Sequence, residues 1–181
     1  HRVNGATLQS LAGWTPIRVM MNGGYPQVDW CRLPAEPFTD PFFEQTIGRA
    51  LRQPARLLFR RSTLLDMLAE FDRERPGLAP AGFIFHMSRC GSTLLAQLLA
   101  ALPGSIVVSE APPIDQLLQL CRRAPGVACE RRLGWLRGLV NAFGQRRRGD
   151  ETRYFIKFDC WHTLELSFIH AAFPDVPWVF L

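Results

Sequence analysis

Eleven residues in the middle of the chain constrain it most: Phe83-Ile84-Phe85-His86-Met87-Ser88-Arg89-Cys90-Gly91-Ser92-Thr93. The run Phe83 to Phe85 is short and apolar, bounded by Gly82 and by a Ser/Arg/Gly turn, and reads as a buried strand. Ser92 to Leu102 carries a helical pattern of Leu and Ala closed by Pro103-Gly104. Such a strand, turn and helix aims several unpaired backbone N–H groups at one point, together with the positive end of the helix dipole, and so makes an anion site. Gly91 lets the backbone approach the ligand, Ser92 and Thr93 add hydroxyl donors, and Arg89 adds a permanent charge. The plainer account is a helix capped by Ser92 or Thr93 after a glycine turn. The buried strand before it, Arg89 and the long apolar helix favour the anion loop.

The pattern around the loop predicts an α/β fold. Ile106 to Val108 and Tyr154 to Phe158 read as further strands, and Val176 to Leu181 as a fourth. Between them lie helical patterns from Ala111 to Leu120, Arg131 to Phe143 and Thr163 to Ala172. Strands alternating with helices imply a parallel sheet. Upstream, the residues to about Pro41 show no sustained period and read as an irregular arm. Two helices are expected next. One is built on Phe42, Phe43, Ile47 and Leu51, the other on the helical spacing of Leu57, Leu58, Leu64, Leu65, Leu68 and Phe71, with Ser62 or Thr63 near its start and Asp72 to Arg75 near its end. The Pro/Gly stretch Pro76 to Gly82 divides an N-terminal extension, residues 1–80, from the α/β part, residues 81–181.

Composition bounds the class. The 181 residues are 48% hydrophobic and 20% charged, as in a folded chain with a core. The net charge of +5 comes mostly from arginine, whose planar fork suits phosphate and sulfate. Arg122-Arg123 and Arg146-Arg147-Arg148 read as solvated helix ends or loops, and no aromatic-basic signature marks a specific nucleic-acid surface. The five cysteines form no C-x-x-C pair and no zinc spacing, so they read as reduced thiols in a cytoplasmic protein that needs no metal. No apolar run reaches the length of a membrane span. The start at His1 and the stop at Leu181, inside an apolar run, read as a fragment of a longer protein.

The loop lacks the lysine that should follow Gly91 in a nucleotide triphosphatase loop, and Ser92 stands there instead. It also lacks the arginine a cysteine phosphatase needs after its cysteine, where Leu95 and Ala96 stand, so Cys90 reads as loop structure. Ser88-Arg89-Cys90-Gly91-Ser92-Thr93-Leu94-Leu95 resembles the 5′-phosphosulfate loop of the sulfotransferase family, [PS]-[KR]-[SC]-G-[ST]-T followed by an apolar helix. Looser similarity runs from about Gly82 to Leu181.

The resemblance implies a P-loop-type parallel sheet flanked by helices and transfer of a sulfuryl group from 3′-phosphoadenylyl sulfate (PAPS) to an unidentified acceptor. Ser88, Arg89, Cys90, Gly91, Ser92 and Thr93 would bind the donor. Arg89 falls where the family stabilises the leaving phosphate, and Glu110 where related enzymes take the acceptor's proton. Lys157 falls at a strand end where the family has K-x-P, although no proline follows here. Glu110 would also serve as an acid at a helix start ahead of Pro112, and His86 as a core or pocket-lining histidine. His162 and His170 read as structural or surface groups, and Trp161 and Trp178 as core. The family's 3′-phosphate ligands lie beyond a segment like Phe173 to Leu181, so the resemblance implies weak donor binding by these residues alone. Two other readings stay open, a kinase-like phosphotransferase using Arg89 for lysine and a non-catalytic module that keeps the loop as a scaffold.

Overall fold

The computed structural model describes residues 11–181. Four parallel strands form its central sheet: β4 (Gly82–Phe85), β5 (Ser105–Ser109), β6 (Arg153–Lys157) and β7 (Trp178–Phe180), in the spatial order β5-β6-β4-β7. The inner strands are buried apolar runs because helices cover the sheet. These are α4 (Ser92–Ala101), α5 (Pro112–Arg123), α6 (Cys129–Phe143) and α7 (Leu166–Ala172), the last preceded by a 3-10 turn over Cys160–Glu165. The expected α/β alternation is therefore present. Register pairs Ser109 and Ile84 with Lys157 from opposite sides. The C-terminal ends of β5, β6 and β4 thus lie side by side, the place where sheets of this kind bind ligands.

Residues 1–10 of the expected irregular arm lie outside the described residues, and much of the rest of it is strand rather than irregular chain. Strands β1 (Thr15–Asn22) and β2 (Tyr25–Cys31) form an antiparallel hairpin, and β3 (Arg61–Leu64) adds to β2. Its turn is Gly23-Gly24, both at positive φ (56° and 83°), which two-residue hairpin turns require. Ser62 and Thr63 consequently sit in a strand rather than at a helix start. Ser62 Oγ donates to Asp29 Oδ1 at 2.5 Å, and the Trp30 indole N–H donates to Thr63 Oγ1 at 2.9 Å. Where one helix was expected from Leu57 to Phe71, there are α2 (Pro54–Leu58), β3 and α3 (Met67–Glu74). Helix α1 (Phe43–Leu51) precedes them.

The hairpin sheet and the α/β sheet share one buried cluster, with Trp30, Phe43 and Phe71 joined to Phe85, Phe143 and Phe158. Gln116 Oε1 on α5 accepts the Val19 N–H of β1 at 2.7 Å, which ties the hairpin to a helix of the α/β part. Arg147 belongs to this structure and not to a solvated end: its guanidinium lies 3.6 Å from the Phe38 ring centre and its Nη1 donates to Pro34 O at 3.0 Å. Trp178, expected in the core, is 46% exposed.

Helix α6 crosses α3 at near backbone contact, with Gly138 against Leu68. A Cβ at Gly138 would lie 2.3 Å from Leu68 O, too close for either helix to accommodate without moving. Alanine favours a helix interior by up to about 1 kcal/mol over glycine, yet overpacking of this kind costs about 1–3 kcal/mol. Gly138→Ala should therefore lower the urea midpoint at unchanged slope, and an unchanged or higher midpoint would show that the helices are not in contact there.

Candidate functional site

The loop after β4 turns by means of two left-handed residues, Arg89 (φ 63°) and Gly91 (φ 85°). Gly91 is the residue before α4, and the first bond of the helix runs from Leu95 N–H to Gly91 O at 3.2 Å. The N–H groups of Ser92, Thr93 and Leu94 therefore have no acceptor within the helix and open on the loop. Cys90 reports their effect. Its exposed thiol gains a slight upward push from burial, but the backbone N–H and hydroxyl of Ser92 and nearby backbone groups hold it below the usual thiol range. An environment that favours a thiolate favours other anions.

Around this loop lies a cavity of about 290 Å³ into which Ser88 to Thr93 face together with His86, Glu110 and Lys157. The residues singled out from the sequence are thus brought together. Lys157 ends β6 with its side chain 1% exposed, and its ammonium bonds to Glu110 Oε1 and lies 3.4 Å from Thr93 Oγ1. Glu110 follows β5, and its N–H donates to Lys157 O at 2.8 Å. That bond carries the β5–β6 pairing one residue further and holds Glu110 at φ 49°. Among the described residues, Arg89 and Glu110 are the only non-glycine residues with positive φ, and such strain concentrates at working sites. Arg89 is exposed and has no carboxylate partner within 4 Å among the described residues.

His86 is buried, with Nδ1 2.9 Å from Met87 O, which fixes the proton on Nδ1. Its Nε2 has no hydrogen bond and lies 3.4 Å from Glu110 Oε1. Of the two readings open for His86, the structure gives the pocket-lining one.

The sequence did not mark the residues on the far side. Phe42, just before α1, lies with its ring centre 5.5 Å from Lys157 Nζ. Trp161, expected in the core, is 51% exposed and lines the cavity, its indole N–H donating to Asp115 Oδ1 at 2.8 Å. Phe42, Glu110 and Trp161 also form the wall of a second cavity of about 400 Å³, lined by Glu44, Pro112, Asp115 and Asp159. His162 is structural, as expected. Its Nδ1 accepts the Asp159 N–H at 3.2 Å, so Nε2 carries the proton and donates to Asp115 Oδ1 at 3.0 Å. Burial keeps this imidazole neutral against the pull of Asp115. Burial also works against the charge on Asp115, but donors from Trp161, His162 and Gln119 outweigh it and hold that carboxyl below the usual range. Asp159 has no such relief. Burial, with Glu110 and Asp115 nearby, pushes it up to about 7 despite Lys157. His170 is exposed.

Comparison with family models, curated proteins and solved structures gives no match. The reading of this cleft therefore rests on its own geometry and on the resemblance of the loop.

Two measurements check the electrostatics. Iodoacetamide near neutral pH should label Cys90 ahead of Cys31 and Cys121, whose thiols burial pushes up, Cys121 to about 11. Equal rates would show that the loop donors do not face Cys90. A carboxyl raised in the folded state binds more protons than in the unfolded chain, so Asp159 should make stability fall as pH rises from about 4 to about 7. Asp159→Asn, which keeps an acceptor for the 3-10 turn, should raise stability at pH 8 by about 1–2 kcal/mol after discounting for water in the cleft, and by much less at pH 5. A gain of equal size at both pH values would assign it to something other than the charge.

Proposed function

We propose that this cleft transfers a sulfuryl group from PAPS to a hydroxyl or amine acceptor, on a P-loop-type α/β fold. The observation that carries the reading is the meeting of Arg89, Glu110 and Lys157 with the unpaired N–H groups of one helix start in a single cavity. Sulfuryl transfer moves a charged electrophile between two oxygens, so positioning and electrostatic clamping supply most of the rate, as in phosphoryl transfer. Each group has a fitting task. The N–H groups of Ser92, Thr93 and Leu94 and the Ser92 and Thr93 hydroxyls hold the 5′-phosphate, with Ser88, Cys90 and Gly91 shaping the loop around it. Arg89 and Lys157 stabilise the charge left on that phosphate when its bond to sulfur breaks.

Glu110 receives the acceptor's proton as the new bond to sulfur forms. Its Oε1 is taken by Lys157, which fixes the carboxylate, and the residue lines both cavities. The second cavity, reached past Glu110, is the place for the acceptor, between Phe42 and Trp161. A kinase-like reaction has less support, because it would need Arg89 to do the work of the lysine that is missing after Gly91.

The test is thermal unfolding of the protein with adenosine 3′,5′-bisphosphate, PAPS, or ATP with magnesium. Saturation at about a hundredfold over the dissociation constant stabilises by about 2.7 kcal/mol. The adenosine bisphosphate and PAPS should raise the midpoint and Arg89→Ala should remove the rise, while Glu110→Gln should keep binding and lose transfer. Stabilisation by ATP with magnesium alone would replace this reading with the phosphotransferase, and no stabilisation by any of the three would leave the loop as a scaffold.

A further inference from the structure

Away from the cleft, helix α2 and the residues after it form the most conspicuous unsatisfied surface of the N-terminal part. Helix α2 buries none of its five residues. Leu57 is 46% exposed, Leu58 77% and Phe59 72%, three adjacent large apolar side chains in water. They sit within Arg52-Gln53-Pro54-Ala55-Arg56-Leu57-Leu58-Phe59-Arg60-Arg61, ten residues with four arginines and no acid. Arg60 is exposed and turns back to donate from Nε to Leu57 O at 3.0 Å, and Arg61 lies over the Trp14 ring. An apolar tip ringed by cations is costly in water and suits a surface that is apolar beneath and anionic at its face.

A second feature lies directly behind the tip. A cavity of about 220 Å³ runs between α1, α2 and the loop after α6, and three guanidinium groups line it, those of Arg49, Arg56 and Arg147. Arg49 is paired with Asp40, and Glu36 is also in the wall. Arg56 and Arg147 have no carboxylate within 4 Å among the described residues. Arg147 Nε is buried with no hydrogen-bond partner, and burial lowers the guanidinium to about 10 against the opposing pull of Glu151. This cationic cavity is left short of negative charge by the protein itself.

We propose that this face docks on an anionic lipid bilayer, with Leu57, Leu58 and Phe59 entering the interface and Arg56 and Arg147 receiving a headgroup phosphate. Charge complementarity selects the bilayer over a neutral apolar partner: four arginines flank the three apolar side chains in sequence, and the cavity that Arg56 shares holds three arginines, of which Arg56 and Arg147 have no carboxylate within 4 Å among the described residues. The contact is with the membrane surface only, since no helix among the described residues is long and apolar enough to cross it. Helix α1 joins the two functional regions, with Phe42 at the cleft before its first residue and the cationic cavity against its last turn. Docking therefore leaves the cleft, at the other end of α1, open to substrate. The proposal does not depend on which reaction the cleft performs.

Flotation of the protein with vesicles decides it. Binding is expected to vesicles of phosphatidylcholine with about 30% phosphatidylserine, not to phosphatidylcholine alone, and should weaken as salt rises from about 0.1 to 0.5 M. Leu58→Ser with Phe59→Ser should lower the partition coefficient at least about tenfold, and Arg56→Gln with Arg60→Gln should lower it similarly at low salt. All four side chains are at or near the surface, so the thermal midpoint should hold, and a circular dichroism melt checks that it does. Absence of binding to the anionic vesicles overturns the proposal. So does undiminished binding of the Leu58/Phe59 variant, which would leave only diffuse attraction to cations. Stabilisation by inorganic phosphate without vesicle binding would make the cavity a site for a free anion instead. A sedimentation coefficient that falls in the Leu58/Phe59 variant, with no vesicle binding by the parent, would assign the face to a second copy of the chain.

Discussion

A lysine side chain that is 1% exposed needs a counter-charge, and in this protein the rest of the site is arranged around meeting that need for Lys157. The parallel register sets Ser109 beside Lys157, and the Glu110 N–H bonds to the Lys157 carbonyl, so the carboxylate that follows β5 is delivered to the ammonium that ends β6. Glu110 must adopt φ 49° to arrive there, a conformation that costs about 1–3 kcal/mol for a residue with a side chain. Removing one partner of a buried pair typically costs about 3–5 kcal/mol, because the other charge is left without compensation. The larger figure decides the outcome, and the strained backbone at Glu110 is retained. Because Glu110 is 21% exposed in its side chain and Lys157 only 1%, the pair is also asymmetric: the carboxylate is the more open to the cleft, and the ammonium borders the loop cavity beside Thr93.

The same sheet explains which parts of the molecule were legible in its sequence. Phe83 to Phe85, Ile106 to Val108 and Tyr154 to Phe158 are strands buried along nearly their whole length, so their signal is a local apolar run that no distant contact needs to complete. The loop was legible for the same reason, since strand, glycine turn and Ser/Thr helix start are consecutive. The hairpin was not. Its strands mix exposed and buried positions without clean alternation, as in Tyr25-Pro26-Gln27-Val28, and β3 earns its strand only by pairing with β2 more than thirty residues away. The Gly23-Gly24 turn was the available local sign. Leu57 and Leu58 misled in a different way: apolar residues at helical spacing imply burial, and here they point into water.

The cleft divides along the same line. Arg89, Glu110 and Lys157 lie at strand ends, where position in the sheet and chemical type both mark them. Phe42 comes from the N-terminal part and reaches Lys157 through tertiary packing alone, which nothing within its own segment announces. Asp159, Cys160, Trp161 and His162 follow β6 and could have been weighed by that position, since the ends of parallel strands are where ligands bind. With Trp161 read as core and His162 as structural or surface, the segment lost that weight.

Two aspartates of the second cavity, Asp115 and Asp159, show how neighbouring carboxylates diverge. Asp115 accepts from an indole, an imidazole and an amide, and stays ionised. Asp159 uses its oxygens on the 3-10 turn and faces Asp115 and Glu110, so it gains a proton near neutrality. The consequence is a cleft whose two ends differ in sign. The loop end, with Arg89, Lys157 and unpaired N–H groups, is set for an anion, and the other end holds the Asp115 carboxylate, which has no lysine or arginine within 4 Å among the described residues. Like charges raise the energy of a strongly acidic molecule in that second space, whereas an amine or a neutral hydroxyl carries no such penalty. Whatever reaction joins the two ends, the field across the cleft orders its participants, with the anionic one on the loop and the neutral or cationic one beyond Glu110.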